Sequence, residues 1–199
     1  AHANWWRFIA PFFTRDYRVA ALDLSGMGDS GKRPEYNATL RADEMRATIE
    51  SEAWNADLGR YAATFGGKEM DASLLQMIDT RFLAADDPRF IETLKHLEHE
   101  LRRGDVVLRY AEKDDFGLPE TAFNFCTFWL IEALYLVGRR EEARTLFDQM
   151  LARRTRAGLL SEDCDLSTGA PWGNYPQTYS LAGLINCAVL LSNPWSSVR

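Results

Sequence analysis

The 199-residue chain is 46% hydrophobic and 26% charged, a globular composition whose six Trp and eleven Phe supply enough apolar bulk for a sizeable core. Its net charge of −6 divides into +1 over residues 1–36 and −7 over the remainder. That balance excludes nucleic acid and anionic membrane as main partners, because both require clustered cations, and leaves neutral polar ligands open.

The chain begins AHANWW, with neither a methionine nor a signal-peptide pattern, so its N-terminus is expected to be cut from something longer. Residues 4–13 read as a short helix and RVAALDL (18–24) as a buried strand. The glycines of DLSGMGDSG (23–31) have the spacing of a dinucleotide-binding turn, and Gly28-Asp29-Ser30 opens like a nucleophile elbow. Both readings need a helix to begin at the last glycine. Pro34 disfavours helical geometry at Arg33, and Lys32 stands where an elbow closes with glycine.

From residue 39 onward the pattern is mainly α, with helices expected over 39–53, 71–83, 88–102, 120–137, 140–156 and 177–192. Asp71 stands as an N-cap, Pro88 follows Asp87 at a first helical turn, and Gly104 follows Arg102-Arg103 in a C-terminal pattern. His96 and His99 fall on a solvated helix face. The apolar run TAFNFCTFWLIEALYLVG (121–138) is interrupted by Asn124 and Glu132, which makes it a buried core helix and not a bilayer span. Gly138 leaves only a short link to the next helix, which places Ala143, Phe147 and Met150/Leu151 on one face. The result is an array of helical hairpins. Cys126, Cys164 and Cys187, odd in number and widely spaced, fit neither a zinc site nor a disulfide framework. They read as small buried hydrophobes in a reducing, cytoplasmic setting, with no metal or cofactor expected. The connections 103–120 and 156–177 are long for a helical domain and rich in aromatics, carboxylates and glycines, a composition typical of functional loops. By spacing alone, Glu162, Asp163 and Asp165 read as three solvated loop carboxylates.

Two resemblances add to this reading. HANWWRFIAPFFTRDYRVAALDLSGMGDSGKRPEY resembles the early part of an α/β-hydrolase, which implies a helix–strand–turn fragment over 1–37. In it His2 would be the remnant of an oxyanion loop, and Asp23 to Ser30 a structural turn. No nucleophile, acid or histidine of that family follows downstream. From about residue 39 to 193, the segments FLAADDPRF, ETAFNFCTFWLIEALYLVGRREEARTLF and GLLSEDCDLSTGAPWGNYPQTYSLAGLIN resemble the C-terminal part of family 15 glycoside hydrolases, the glucoamylase- and trehalase-like enzymes. This resemblance implies a partial (α/α)6 barrel over 38–199 and inverting hydrolysis of α-glucosidic bonds. One carboxylic acid then protonates the leaving oxygen, and a second carboxylate activates water from the opposite face.

Residue by residue, the resemblance makes Glu162, in SEDCD, the general base, with Asp163 and Asp165 raising its proton affinity if buried with it. Arg109 and Tyr110 match the family's Arg-Tyr pair that binds sugar hydroxyls, and Glu120 matches the acidic residue before the inner helix. Trp172 and Tyr175 offer flat faces for a pyranose ring, or simply pack against the loop. The chain departs from the family in having no W-E general-acid motif, since Trp54 precedes Asn55, and in having Leu181 after Ser180 where histidine is usual. The expected partner is an α-glucoside or another neutral sugar, with weak or absent turnover. A non-catalytic carbohydrate-binding or helical interaction module, and behind it an esterase fragment, are the alternatives. Half a barrel also leaves an inner face to be covered, as by a second copy of the chain.

Overall fold

The computed structural model describes residues 31–32, 34, 36–113 and 117–192, and the chain divides into two compact units, residues 1–54 and 55–199. The helix expected at 4–13, the strand at 18–24 and the glycine-rich turn as far as Ser30 lie outside the described residues.

In the first unit, α1 (Ala38–Glu52) starts where Asn37 Oδ1 accepts from the Leu40 amide at 2.9 Å. That contact satisfies one of the amide donors that an N-terminus leaves open. No α1 residue is buried.

The second unit begins its helices at Asp71, whose Oδ1 accepts from Ser73 N at 2.7 Å and caps a 3-10 turn (Ala72–Leu75) that runs into α2 (Gln76–Asp79). The single helix expected over 71–83 is therefore shorter. Arg81 turns the chain out at φ +57°, its N donating to Ile78 O at 3.1 Å and Phe82 N to Met77 O at 2.8 Å in a Schellman-type close. α3 (Pro88–Leu101) follows Asp87, which accepts from Arg89 N at 2.8 Å, with Pro88 in the first turn as expected. Phe90, Leu94, Leu97 and Leu101 form its buried stripe. The helix stops at Leu101 because Arg102–Arg103 pair with Val106–Val107 in a hairpin, and Gly104 at φ +63° serves that turn and not the helix end.

The apolar run supplies the centre of the unit, but its first residues are not helical. Thr121–Phe123 forms strand β1, and α4 begins only at Asn124 (Asn124–Leu136). β1 pairs antiparallel with β2 (Asp163–Asp165), which pairs in turn with β3 (Pro171–Trp172). Backbone groups that a helix would satisfy internally are satisfied here by a partner forty or more residues away. Beyond that ladder, Phe128, Leu130, Ile131 and Leu134 on α4 are fully buried. α4 packs against the 3-10 turn, α5 (Arg140–Ala152) and α6 (Thr178–Leu191). Gly138, at φ +90°, makes the short link between α4 and α5, and Ala143, Leu146, Phe147 and Met150 give α5 its inward face. Gly183 lets α6 approach Phe128 closely: a Cβ there would lie 2.8–2.9 Å from Phe128 side-chain atoms.

Charges tie the outer surface together. Arg102 binds Glu98 at 2.8 Å and Glu142 at 2.7 Å, and Arg139 binds the same two carboxylates, so the end of α3 and the start of α5 share one network. Cys126, Cys164 and Cys187 are buried free thiols, as their spacing suggested, and burial pushes all three up in pKa. No described helix is long and apolar enough to cross a membrane.

Glu132 is the exception within α4. Burial, reinforced by the neighbouring Asp79 charge, raises its carboxyl from 4.5 to about 7. The folded state thus holds this proton more tightly than the unfolded chain does. The favourable contribution is complete below pH 4.5 and is lost as pH rises through about 7. Because the group is only half-buried, the loss is on the order of 1–2 kcal/mol. Glu132→Gln should therefore leave the urea midpoint unchanged at pH 4.5 and raise it at pH 8. A variant equally shifted at both pH values would show that burial of the charge is not the cause.

Candidate functional site

The three-strand sheet sets the site by its pleat. Cross-strand partners share a face, so the register Thr121↔Asp165, Phe123↔Asp163 and Asp163↔Trp172 puts these five side chains on one side. Ala122 and Cys164, on the other side, are 0% and 3% exposed and belong to the core. The outward face forms one wall of an open cleft of about 550 Å³, and Arg109, Tyr110, Leu118 and Glu120 from the preceding connection complete it.

Arg109 is oriented by Asp71, its Nε lying 2.8 Å and 2.9 Å from the two carboxylate oxygens, while Arg109 O accepts from Ala72 N at 2.8 Å. Asp71 thus caps the 3-10 turn and fixes a cleft arginine at once. Sequence showed only the first role, because the two residues stand 38 positions apart. Glu120 is exposed at the cleft edge, and Trp172, 61% exposed, presents its indole there. Tyr175 does not line the cleft: its hydroxyl lies 3.0 Å from Thr155 Oγ1.

The aspartates of β2 differ in state. Asp165 Oδ1 accepts from the backbone and hydroxyl of both Ser167 and Thr168 at 2.7–3.0 Å. Those hydrogen bonds, the Ser167 hydroxyl first, pull its carboxyl down to about 2. Its role is to shape the turn into β3. Asp163 is buried and bonded through Oδ2 to Thr121 Oγ1 at 2.7 Å. Burial pushes its carboxyl upward; the Thr121 bond opposes that shift and the Glu162 charge adds to it.

Glu162 stands one residue before β2 and is not among the residues lining this cleft. Its backbone is gripped on both sides, donating to Asn174 O at 2.9 Å and accepting from Asn124 N at 3.0 Å. Its Oε2 accepts from Asn174 N at 3.1 Å and Asn174 Nδ2 at 2.9 Å. Gly173, at φ +74°, passes so close that a Cβ there would lie 2.9 Å from Oε2. The adjoining Ser161 carbonyl accepts from Asn124 Nδ2 at 2.9 Å and Ser180 Oγ at 2.7 Å, all three residues being buried. So the fold gathers Arg109, Tyr110, Glu120 and Trp172 around one cleft and holds Glu162 in the segment beside it. Thr121, Asp163, Gly173 and Asn174 escaped sequence reasoning as site residues. For Asp163 the alternation in Asp-Cys-Asp was the available signal. A guanidinium, several carboxylates and an exposed indole suit a neutral polyhydroxylated ligand, whose hydroxyls both donate and accept.

The sequence pattern of the glycosyl hydrolases family 15 matches residues 18–189. It begins inside the stretch expected from sequence to be an α/β-hydrolase fragment, so residues 18–36 fall within the family 15 match. The trehalase of Thermoplasma acidophilum is 35% identical over 147 residues, 73% of this chain and 25% of that protein. The chain thus spans about a quarter of the length of the curated relatives it matches. Among solved structures, a glycosidase variant in complex with glucose aligns with a TM-score of 0.65 at 19% identity, covering 75% of this chain and 43% of that one. A bacterial glucoamylase complexed with acarbose aligns with a TM-score of 0.60 at 18% identity over 75% of this chain and 28% of its own. The mainly helical architecture is that of part of an (α/α)6 barrel, in agreement with the expectation from sequence.

Proposed function

The chain belongs to the glycosyl hydrolases family 15, and on that premise we propose that it carries the general-base side of an inverting α-glucoside hydrolase. The sugar lies in the cleft on Arg109, Tyr110, Glu120 and Trp172, and Glu162 activates the attacking water. The observation that carries this reading is the anchoring of Glu162: its peptide and its carboxylate are both fixed, which is what an oriented base requires. The trehalase relative and the glucose-bound glycosidase support an α-glucoside as ligand. Buried free thiols support a reducing, cytoplasmic setting. The exposed Tyr179, Ile185 and Val189 of α6 support pairing with a second copy.

No W-E motif occurs in this sequence. Without a general acid, an alkoxide must leave unprotonated, at a cost of about 10²–10⁴-fold in rate. Turnover of trehalose is therefore slow. α-Glucosyl fluoride bypasses the deficit, because fluoride departs without a proton. The test is fluoride release from α-glucosyl fluoride, with the product anomer followed by NMR. The expected result is β-glucose, formed at least ~10²-fold more slowly by Glu162→Gln. Equal rates for the two proteins would remove Glu162 from the reaction. Binding without any fluoride release would favour the non-catalytic sugar-binding reading, which the position of Glu162 outside the cleft lining also supports.

A further inference from the structure

Asp163 has a feature that the reaction above does not use. Only 9% exposed, it lines the cleft, and its Oδ1 is buried with no hydrogen-bond partner among the described residues. Buried carboxylate oxygens are almost always paired, because an unpaired one loses its hydration for nothing. The other oxygen is not idle: Thr121 Oγ1 donates to Oδ2 at 2.7 Å, which anchors one side of the carboxyl group. Asp163 lies between Phe123 and Trp172 in the sheet, both facing the cleft. An unsatisfied acceptor lying just behind the wall of a polar cleft is matched to a donor from outside, which reaches Oδ1 once the side chain turns about its bond to Thr121.

The geometry points to Asp163 as a specificity-determining residue that selects one hydroxyl of the bound sugar, its Oδ1 accepting from that hydroxyl while Thr121 holds Oδ2. The inference rests on the reading of the cleft as a sugar site, but gives Asp163 a task separate from that of Glu162. Burial already pushes the Asp163 carboxyl upward, so the empty site bears an unfavourable charge that a hydroxyl donor relieves. A sugar lacking that hydroxyl leaves Oδ1 stranded, the situation in which polar sites discriminate most strongly.

The experiment is calorimetric titration of the full chain with methyl α-glucoside and each of its monodeoxy analogues, for the parent protein, Asp163→Ala and Asp163→Leu. In the parent, one analogue is expected to bind at least ~10-fold more weakly than methyl α-glucoside. Asp163→Ala should bind methyl α-glucoside more weakly by a similar factor and no longer distinguish that analogue. The two deletions remove the same contact and so are not additive. A merely structural role would weaken every analogue alike. Asp163→Leu keeps the bulk of the side chain without any acceptor, and it replaces the alanine variant if that one fails to melt cooperatively. A parent that binds all analogues equally, or variants that keep the parent's discrimination, would overturn the inference and leave the sugar site standing. A parent that binds none of these sugars would overturn both.

Discussion

Phe128→Ala should destabilise the second unit by about 3–5 kcal/mol and Gly183→Ala by about 1–3 kcal/mol, yet the double variant should lose less than their sum. Phe128 is fully buried on α4, so alanine leaves a cavity that the surrounding helices fill only in part. Gly183 fails for the opposite reason. A methyl group on α6 would meet Phe128 Cδ2 at 2.8 Å and its Cβ and Cγ at 2.9 Å, and Cβ is not the free end of a flexible side chain. Something in the helix pair must shift. With Phe128 truncated, the same methyl group enters the vacated space and removes its own clash. Urea unfolding of the four proteins should give a favourable coupling of at least about 1 kcal/mol. Strictly additive losses would mean that α6 does not rest on Phe128.

Gly173→Ala should slow fluoride release from α-glucosyl fluoride by on the order of 10²-fold while leaving affinity for methyl α-glucoside intact. Two constraints meet at this residue. Its φ of +74° is left-handed, where a side chain costs roughly 1–2 kcal/mol, and an added Cβ would lie 2.9 Å from Glu162 Oε2 and 3.1 Å from Glu162 Cβ. The carboxylate must then swing away from the donors on Asn174 that orient it. Asn174→Ala removes only the side-chain donor and keeps the amide, so a smaller loss is expected, about 10-fold. An unchanged rate in Gly173→Ala would show that the chemistry does not depend on where this loop holds Glu162. A parallel loss of sugar affinity would place the damage in the cleft and not at the base.

What sequence could reveal here depended on how far each signal lies from its effect. Asp87 and Pro88 mark the start of α3 within one turn, and Gly138 the link between α4 and α5, because caps and left-handed glycines act on neighbours. β1 was hidden. Thr121–Phe123 sits at the head of a continuous apolar run, where no alternation separates strand from helix, and its partner lies 42 residues downstream. The premature end of α2 turns on Arg81, a left-handed residue that is neither glycine nor asparagine and so leaves no signature in the sequence. At the site, family resemblance located Arg109, Tyr110, Glu120 and Trp172, and the fold draws them to one cleft. It did not distinguish Asp163 from Asp165. The two share a strand face, yet one is buried against Thr121 and the other consumed by its own turn. Only the hydroxyls around them decide which is available to a ligand.

The Ser161–Glu162 peptide is stitched to the first residue of α4 and, through Ser180, to the first turn of α6. To open this segment, the side chains of Asn124 and Ser180 at the N-terminal ends of two core helices must let go together. The amide of Asn124, which donates to the Glu162 carbonyl, should then be among the slowest in the chain to exchange with solvent. Leu118 and Pro119, which also line the cleft, take no part in this fastening. Substitutions there should retune ligand choice at little cost in stability, whereas loss of Asn124 or Ser180 should loosen Glu162 and the core together.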